Sequence, residues 1–267
     1  MAIILITGGT GTLGRNLVAQ LQPTEHTIRI MSRQAAPAVL PAHTEWATAN
    51  LATGAGIDAA VRGAEIIINA ASDSGGDTHQ ADVIGLKTLL DAARHHNVKH
   101  LLHVSIVGID HMPFGYYKHK LAAEAVIVEA GVPYSIARIV QFHSLVLGML
   151  APSLKTANTP LRIPTDMQLQ SIDSSEAAQY LLSHMQTPAN GRLPDVGGPQ
   201  VLTLGEMAQT LLTARGDSRL IEHTLTPDRK LFWPSPEVIE AYRQGFNTTP
   251  ANCYGSITWR DFVNAPP

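Results

Sequence analysis

The stretch that decides the fold prediction is AIILITGGTGTLG, at positions 2–14. It opens with a short apolar run that is typical of a buried strand. The run passes into a turn in which Gly8, Gly11 and Gly14 are three residues apart. Apolar spacing beyond the turn predicts a helix over Gly11–Leu21. Such a turn lets the backbone approach a pyrophosphate, and the helix N-terminus offers free N–H groups, so the stretch predicts a dinucleotide site.

The rest of the first 145 residues continues the alternation of apolar strands and amphipathic helices, which predicts a doubly wound parallel α/β sheet covered on both faces. The predicted strands are Thr27–Met31, Glu45–Ala49, Glu65–Ala70, Val98–Ser105 and Tyr134–Ile139, and the predicted helices are Ile57–Val61, His79–His96 and Tyr116–Ala130. We predict an NAD(P)-binding Rossmann domain over residues 1–145. Residues 146–267 are predicted to form a smaller substrate-binding lobe that interleaves with the sheet.

Composition restricts the class of protein. The 267 residues are 45% hydrophobic and 15% charged, which fits a globular chain and excludes a disordered one. The net charge of −3 gives no indication of a basic surface that would bind nucleic acid. A single cysteine excludes an internal disulfide and a cysteine-rich zinc site, and we predict no metal. The apolar run Leu145–Ala151 is too short to span a membrane and no signal peptide is evident, so we expect a cytoplasmic protein with no membrane partner.

The end of the second predicted strand distinguishes the two nicotinamide dinucleotides. Proteins that bind NAD place an acidic residue there for the ribose 2′-hydroxyl. Here the strand ends at Ser32 and Arg33, with no acid. Arg33 can pair with a 2′-phosphate and Ser32 can donate a hydrogen bond to it. The pattern favours NADP over NAD, although a solvated loop arginine is the alternative reading of Arg33.

Three residues form a candidate catalytic set. Ser105 closes the fourth of the strands listed above, and Tyr116 and Lys120 share one helix face because they are four residues apart. A nearby lysine is expected to lower the pKa of the tyrosine, which makes Tyr116 a general acid or base. Ser105 is expected to hold the substrate oxygen and Lys120 to reach the nicotinamide ribose. Tyr117, three residues from Lys120, is the alternative tyrosine.

These motifs together resemble the short-chain dehydrogenase/reductase superfamily, and the chain is most similar to its atypical NmrA-like NAD(P)H-binding branch. The resemblance implies a Rossmann sheet with a small C-terminal substrate lobe. It implies that adenine contacts Asn50 and Leu51. It also implies cofactor contacts from the turn, from the end of the strand Glu65–Ala70 and from the end of the strand Tyr134–Ile139, namely Gly8, Thr10, Gly11, Thr12, Leu13, Gly14, Ala70, Ala71, Ser72, Val140 and Phe142.

Two functions follow as hypotheses. The first is an NADPH-dependent oxidoreductase that reduces a small carbonyl or quinone-type substrate. The second is a non-catalytic NAD(P)-binding redox sensor, because the branch contains members that bind cofactor without turnover. A sugar-nucleotide epimerase is a weaker third, since the chain is short for one. A homodimer is a further expectation.

Overall fold

The computed structural model describes residues 1–72, 76–155, 159–186, 188–228, 230 and 234–265. Contacts divide the chain into two compact units, each assembled from separate segments. The first unit contains Met1–Ser105, Pro113–Arg138 and Ala177–Pro194. The second contains Ile106–Met112, Ile139–Glu176 and Asp195–Pro267. Residues 139–145 therefore group with the second unit and residues 177–194 with the first, whereas the sequence placed one boundary at residue 145.

A seven-stranded parallel sheet forms the centre of the first unit, in the order β3-β2-β1-β4-β5-β6-β9. Its strands are β1 (Ile3–Thr7), β2 (Thr27–Ser32), β3 (Thr44–Thr48), β4 (Ile66–Asn69), β5 (His100–Ile106), β6 (Tyr134–Ile139) and β9 (Gly191–Arg192). Strand β1 pairs with both β2 and β4, so the strand order reverses on either side of it. Ligands of open parallel sheets bind at such a reversal, beyond the carboxyl ends of the strands.

Helices connect the strands and cover the sheet. They are α1 (Thr12–Leu21), α2 (Ile57–Val61), α3 (Gly85–His95) and α4 (Gly115–Glu129), with α6 (Ser174–Met185) leading into β9. Alternate strand residues such as Leu5 and Ile67 share a core cluster with α2, α3 and α4. The intervening Ile4, Ile6 and Ile68 are equally buried, so both faces of the sheet are covered.

The second unit contains short strands and helices. They are α5 (His143–Leu154), β7 (Leu161–Ile163), β8 (Gln168–Leu169), β10 (Leu202–Thr203), α7 (Leu204–Ala214), β11 (Ile221–His223), α8 (Pro236–Arg243) and α9 (Trp259–Asn264). Strand β10 pairs antiparallel with β8, and β11 pairs parallel with β7. The indole N–H of the buried Trp259 donates to the Met207 carbonyl at 2.9 Å, which fastens α9 to α7.

The predicted doubly wound sheet is confirmed. One predicted helix differs from the structure: within His79–His96, residues Gln80–Ile84 form a π-helical turn before α3 begins. A π turn accommodates one extra residue and rotates the side chains that follow it. Asp82 lies in that turn and is 6% exposed.

Candidate functional site

The glycine turn fits closely against the end of β4. Gly8 has a φ of +66°, which side chains disfavour, and a Cβ there would lie 2.8 Å from Ala71 Cα. A Cβ on Gly14 would lie 2.1 Å from the Gly8 carbonyl oxygen. Neither position can hold a larger residue without moving backbone. These two glycines therefore fix the turn against the sheet, as the spacing of the motif predicts.

Gly11 has a different role in the turn. Its N–H donates to the Gly8 carbonyl at 2.9 Å, and an added Cβ would meet only that oxygen, at 3.2 Å. Its outer side is open. Gly11 is also the N-cap of α1, where no side chain of the described residues caps the first turn. The free N–H groups and the positive end of the helix dipole form an anion site, and this geometry fits a dinucleotide pyrophosphate.

A cleft of about 310 Å³ lies at the carboxyl ends of these strands, a size that is usual for small-molecule sites. Ten residues predicted to contact the cofactor line it, namely Gly8, Thr10, Gly11, Ser32, Arg33, Asn50, Leu51, Ala70, Ala71 and Ser72. Thr12, Leu13 and Gly14 lie in the first turn of α1 rather than among the lining residues. The sequence missed several lining residues, namely Thr7, Met31, Gln34, Ala49, Ala52, Ala81 and Asp82.

The loop after β3 is held in place at one end of the cleft. The Asn50 side-chain oxygen accepts from the Ala52 N–H at 2.9 Å. The Gln80 side chain donates to the Ala52 carbonyl, also at 2.9 Å. A Cβ on Gly85 would lie 2.2 Å from the Leu51 carbonyl oxygen, so α3 begins directly against this loop. Asn50 and Leu51 therefore form a fixed wall of the cleft.

The end of β2 supplies the cleft with a hydroxyl and a guanidinium. Ser32 Oγ accepts from the Gln34 N–H at 3.2 Å, which leaves the Ser32 hydroxyl proton available to an acceptor. Arg33 is exposed at the rim. The Gln34 carbonyl accepts from Trp46 Nε1 at 2.9 Å and so ties this segment to β3. The segment after β2 contributes no acidic residue to the described lining of the cleft, because the one acid in that lining is Asp82.

Tyr116 contacts Ser72, which is one of the residues that line the cleft. The Tyr116 hydroxyl lies 2.8 Å from Ser72 Oγ, and Ser72 donates to Asp82 Oδ2 at 2.6 Å. Burial raises the pKa of Tyr116 to about 12, with smaller upward contributions from the charges of Asp82 and Tyr117 and a downward one from the Ser72 hydrogen bond. The sequence predicted a lowered pKa, and that direction is wrong because burial, the largest influence on this phenol, disfavours its charged form.

Lys120 shares a helix with Tyr116 but contacts other groups. Its ammonium donates to the Val104 carbonyl at 3.0 Å and lies 3.9 Å from Asp82 Oδ2. Lys120 is 3% exposed, and burial lowers the pKa of its ammonium against the upward influence of Asp82 and Glu124. Among the described residues the lysine forms no hydrogen bond with Tyr116.

Ser105 does not face the cleft as predicted. It is 1% exposed, and its hydroxyl donates to the Glu124 carboxylate. Arg138 donates to both oxygens of Glu124, at 2.8 and 2.6 Å. The Ser105 proton is thus directed at a buried carboxylate, and the anchoring of a substrate oxygen by Ser105 stays a prediction. The serine beside Tyr116 is Ser72, which follows β4.

Three buried polar side chains, Thr7, Asn69 and His103, form a hydrogen-bonded row beside the cleft. No pattern in the sequence predicted that these three residues would contact one another. Thr7 Oγ1 donates to Asn69 Oδ1 at 2.6 Å and accepts from the Ala71 N–H at 3.1 Å. Asn69 Nδ2 lies 2.9 Å from His103 Nδ1. Burial lowers the pKa of His103 well below its ordinary value, so the ring is neutral and accepts from the amide. The row fixes the backbone of Ala71 beside Gly8.

The two remaining predicted residues lie in the second unit. The Val140 N–H donates to the Val196 carbonyl at 3.0 Å, and Phe142 forms a parallel bridge with Ile172.

Within the described ranges, no helix is long and apolar enough to cross a membrane. No group of three or more His, Cys, Asp or Glu side chains that could hold a metal ion occurs in the same part of the chain.

Comparisons with known proteins agree with this geometry. The chain is 26% identical to the photosystem II assembly factor Ycf39 of Trieres chinensis over 195 residues, which cover 69% of this chain and 60% of that protein. The match spans about three fifths of the length of the Trieres chinensis protein and of a second Ycf39, from Cyanophora paradoxa. It is 24% identical to (4-alkanoyl-5-oxo-2,5-dihydrofuran-3-yl)methyl phosphate reductase of Streptomyces griseus over 218 residues, which cover 80% and 74% of the two chains.

Among solved structures, the fold matches that of an NADPH-dependent quinone oxidoreductase from Escherichia coli crystallised with NADPH. The TM-score is 0.78 at 17% identity, over 97% of this chain and 98% of that one. The sequence profile of the NAD(P)H-binding family matches residues 8–145, which include the glycine turn, the cleft and Tyr116. This match covers more than half of the 267 residues of the chain. The chain therefore belongs to the NAD(P)H-binding family.

Proposed function

We propose that the protein is an NADPH-dependent oxidoreductase that reduces a small carbonyl or quinone-type substrate. One observation carries the proposal: Ser72 lines the same cleft as the glycine turn, and its hydroxyl contacts the Tyr116 hydroxyl at 2.8 Å. A phenol that can donate a proton therefore lies at one end of a dinucleotide cleft. Reduction of a C=O bond requires a hydride and a proton at neighbouring atoms, and this placement suits both.

The residues that would hold the cofactor follow from the cleft. The turn from Gly8 to Gly14 and the N-terminus of α1 would bind the pyrophosphate. Asn50 and Leu51 would contact adenine, and Ala70, Ala71 and Ser72 the nicotinamide ribose. When bound, the dinucleotide supplies the hydride. Ser32 and Arg33 would bind a ribose 2′-phosphate, because a serine hydroxyl and a guanidinium both donate to phosphate oxygens. This set supports NADPH over NADH.

Tyr116 would give its proton to the substrate oxygen as negative charge develops there. Burial raises the pKa of Tyr116 to about 12, so the phenol carries its proton at neutral pH. Ser72 takes the position next to the tyrosine that the sequence assigned to Ser105. Lys120, 3.9 Å from Asp82, would balance the charge of that carboxylate. Val140 and Phe142 stay as proposed contacts of the nicotinamide.

Similarity supports a reductase. The relative from Streptomyces griseus is named a reductase of a dihydrofuranyl-methyl phosphate, another relative is named a ketoreductase, and a protein of the same fold is a quinone oxidoreductase. A carbonyl or quinone oxygen is the group that a positioned phenol can protonate. The substrate class is therefore proposed from the chemistry of Tyr116 together with these names.

The test is consumption of NADPH, and separately NADH, against a panel of quinones, aldehydes and ketones. We expect Tyr116→Phe to lower kcat by about a hundredfold or more while NADPH still binds, because the variant lacks general acid catalysis. Tyr134→Phe, which removes a phenol hydroxyl from β6 outside the lining residues of the cleft, is the matched control and should keep turnover. Full turnover in Tyr116→Phe would refute the assignment. Dinucleotide binding without turnover across the panel would favour the non-catalytic sensor.

A further inference from the structure

Three oxygen atoms form a directed chain at the cleft. The Tyr116 hydroxyl lies 2.8 Å from Ser72 Oγ, and Ser72 Oγ donates to Asp82 Oδ2 at 2.6 Å. A serine hydroxyl has one proton, and an ionised carboxylate only accepts. Because Ser72 gives its proton to Asp82, Tyr116 must be the donor in the other hydrogen bond. The direction of the chain thus requires a protonated tyrosine.

Asp82 is fixed in this position by unusual local structure. It lies in the π-helical turn Gln80–Ile84, which precedes α3, and it is 6% exposed. The Lys120 ammonium lies 3.9 Å from the same carboxylate oxygen that Ser72 contacts. Single π turns are rare, and many of them occur at functional sites. The sequence predicted a continuous helix here, so the turn, rather than regular helix geometry, directs Asp82 at Ser72.

We propose that Asp82 is a positioning residue that acts through Ser72 to orient the Tyr116 hydroxyl, with the phenol as the donor in its hydrogen bond to Ser72. This inference rests on the proposed function. In the reduction, the Tyr116 O–H bond would break and its proton would pass to the substrate oxygen, and the bound dinucleotide would supply the hydride. Tyr116 is left as a phenolate. A proton from solvent water then restores the phenol, which donates again to Ser72.

The charged and titratable groups near Tyr116 act in known directions. Among the described residues they are Asp82 from the π turn and Tyr117 and Lys120 from α4 itself. Asp82 and Tyr117 raise the pKa of Tyr116, whereas a hydrogen bond donated by Ser72 to the tyrosine oxygen lowers it, and Lys120 is paired with Asp82. Replacing Asp82 with asparagine removes a negative charge. It also places an amide donor against Ser72, so the serine proton can turn toward the tyrosine oxygen and stabilise a phenolate.

The experiment follows the Tyr116 ring carbon that bears the hydroxyl, by NMR of protein labelled with ¹³C at this position in tyrosine. Tyr116→Phe identifies the signal. In the wild-type protein we expect the phenol shift to persist to about pH 10.5, because burial raises the pKa. In Asp82→Asn we expect ionisation at least about one pH unit lower, a tenfold larger phenolate fraction at a given pH. Asp91→Asn, an exposed carboxylate on α3, is the control and should match the wild type.

Two results would overturn the proposal. One is an identical titration of Tyr116 in Asp82→Asn and the wild type. The other is an unchanged Tyr116 signal in Ser72→Ala, which leaves the Asp82–Lys120 pair intact and serves if Asp82→Asn does not fold. The measurement needs no substrate, so failure of the proposed reaction is distinguished from failure of this inference. With an active substrate, the alkaline decline of kcat/KM for reduction should also move to lower pH in Asp82→Asn.

Discussion

Single glycines in the turn should separate cofactor binding from stability. An alanine methyl at Gly11 faces open space apart from one carbonyl oxygen 3.2 Å away, whereas at Gly14 it would lie 2.1 Å from backbone. We expect Gly11→Ala to weaken NADPH binding by at least about tenfold and to leave the melting temperature nearly unchanged. Gly14→Ala should cost about 1–3 kcal/mol of folding free energy through overpacking.

Calorimetry for stability and fluorescence titration for NADPH binding measure both effects. Gly148→Ala is a suitable control because its helical position has nothing within 4 Å. This substitution should stabilise the protein slightly, since alanine favours helix over glycine. Equal losses of cofactor affinity and stability in Gly11→Ala would contradict the separate roles given to the glycines.

Arg33 should decide the preference between the two dinucleotides. A guanidinium bonded to a charged group contributes about 1.5–3 kcal/mol. We therefore expect Arg33→Ala to weaken NADPH binding by roughly tenfold to a hundredfold and to leave NADH binding unchanged. Binding titrations with both dinucleotides test this, with Arg62→Ala as an exposed arginine control. A parallel loss of affinity for NADH and NADPH would assign Arg33 a general electrostatic role instead.

At the scale of elements, α4 is fastened to the sheet by a buried ion pair. Glu124 accepts from Arg138 of β6 and from Ser105 of β5, and the Glu124 and Arg138 side chains are 10% and 3% exposed. Removing one partner leaves a buried charge, which typically costs 3–5 kcal/mol. We expect Glu124→Ala to lower the free energy of unfolding by about this amount in urea.

Two further variants check that assignment. The double variant Glu124→Leu with Arg138→Leu should recover much of the loss, because apolar replacement of a buried pair is often tolerated. Asp91→Ala removes an exposed partner of Arg94 and should leave the urea midpoint unchanged. A small effect of Glu124→Ala would mean that water replaces the carboxylate.

The accuracy of the sequence predictions depended on whether neighbours along the chain determine the feature. Apolar runs and glycine spacing are local signals, and the predicted strand Tyr134–Ile139 coincides with β6. Strand β9 has only two residues, Gly191 and Arg192, and pairs with the distant strand β6. Two residues are too few to show an alternating hydrophobic pattern, so the sequence did not predict this strand. Ser72 was correctly placed at the cleft, but its contact with Tyr116 joins residues 44 apart in sequence. Ser105 is nearer to Tyr116 in sequence, but the serine hydroxyl that contacts Tyr116 is that of Ser72.

For the whole molecule, buried histidines should make stability depend on pH. Burial lowers the pKa of His100, His103 and His143 below the ordinary value of 6.5. Above pH 6.5 these rings are neutral in both the folded and the unfolded chain. Below it, the unfolded chain binds protons that the folded chain does not, so stability falls as the pH decreases. Each histidine contributes up to about 1.4 kcal/mol per pH unit.

We therefore expect the free energy of unfolding in urea to decline from pH 6.5 to pH 5.5 and to change little between pH 7.5 and 6.5. His103→Gln keeps an acceptor for Asn69 and removes one titrating ring, so it should reduce the slope by up to about 1.4 kcal/mol per pH unit. His79→Gln, at an exposed position, should keep the wild-type slope. If both variants retain it, the acid sensitivity comes from groups other than the neutral ring beneath the cleft.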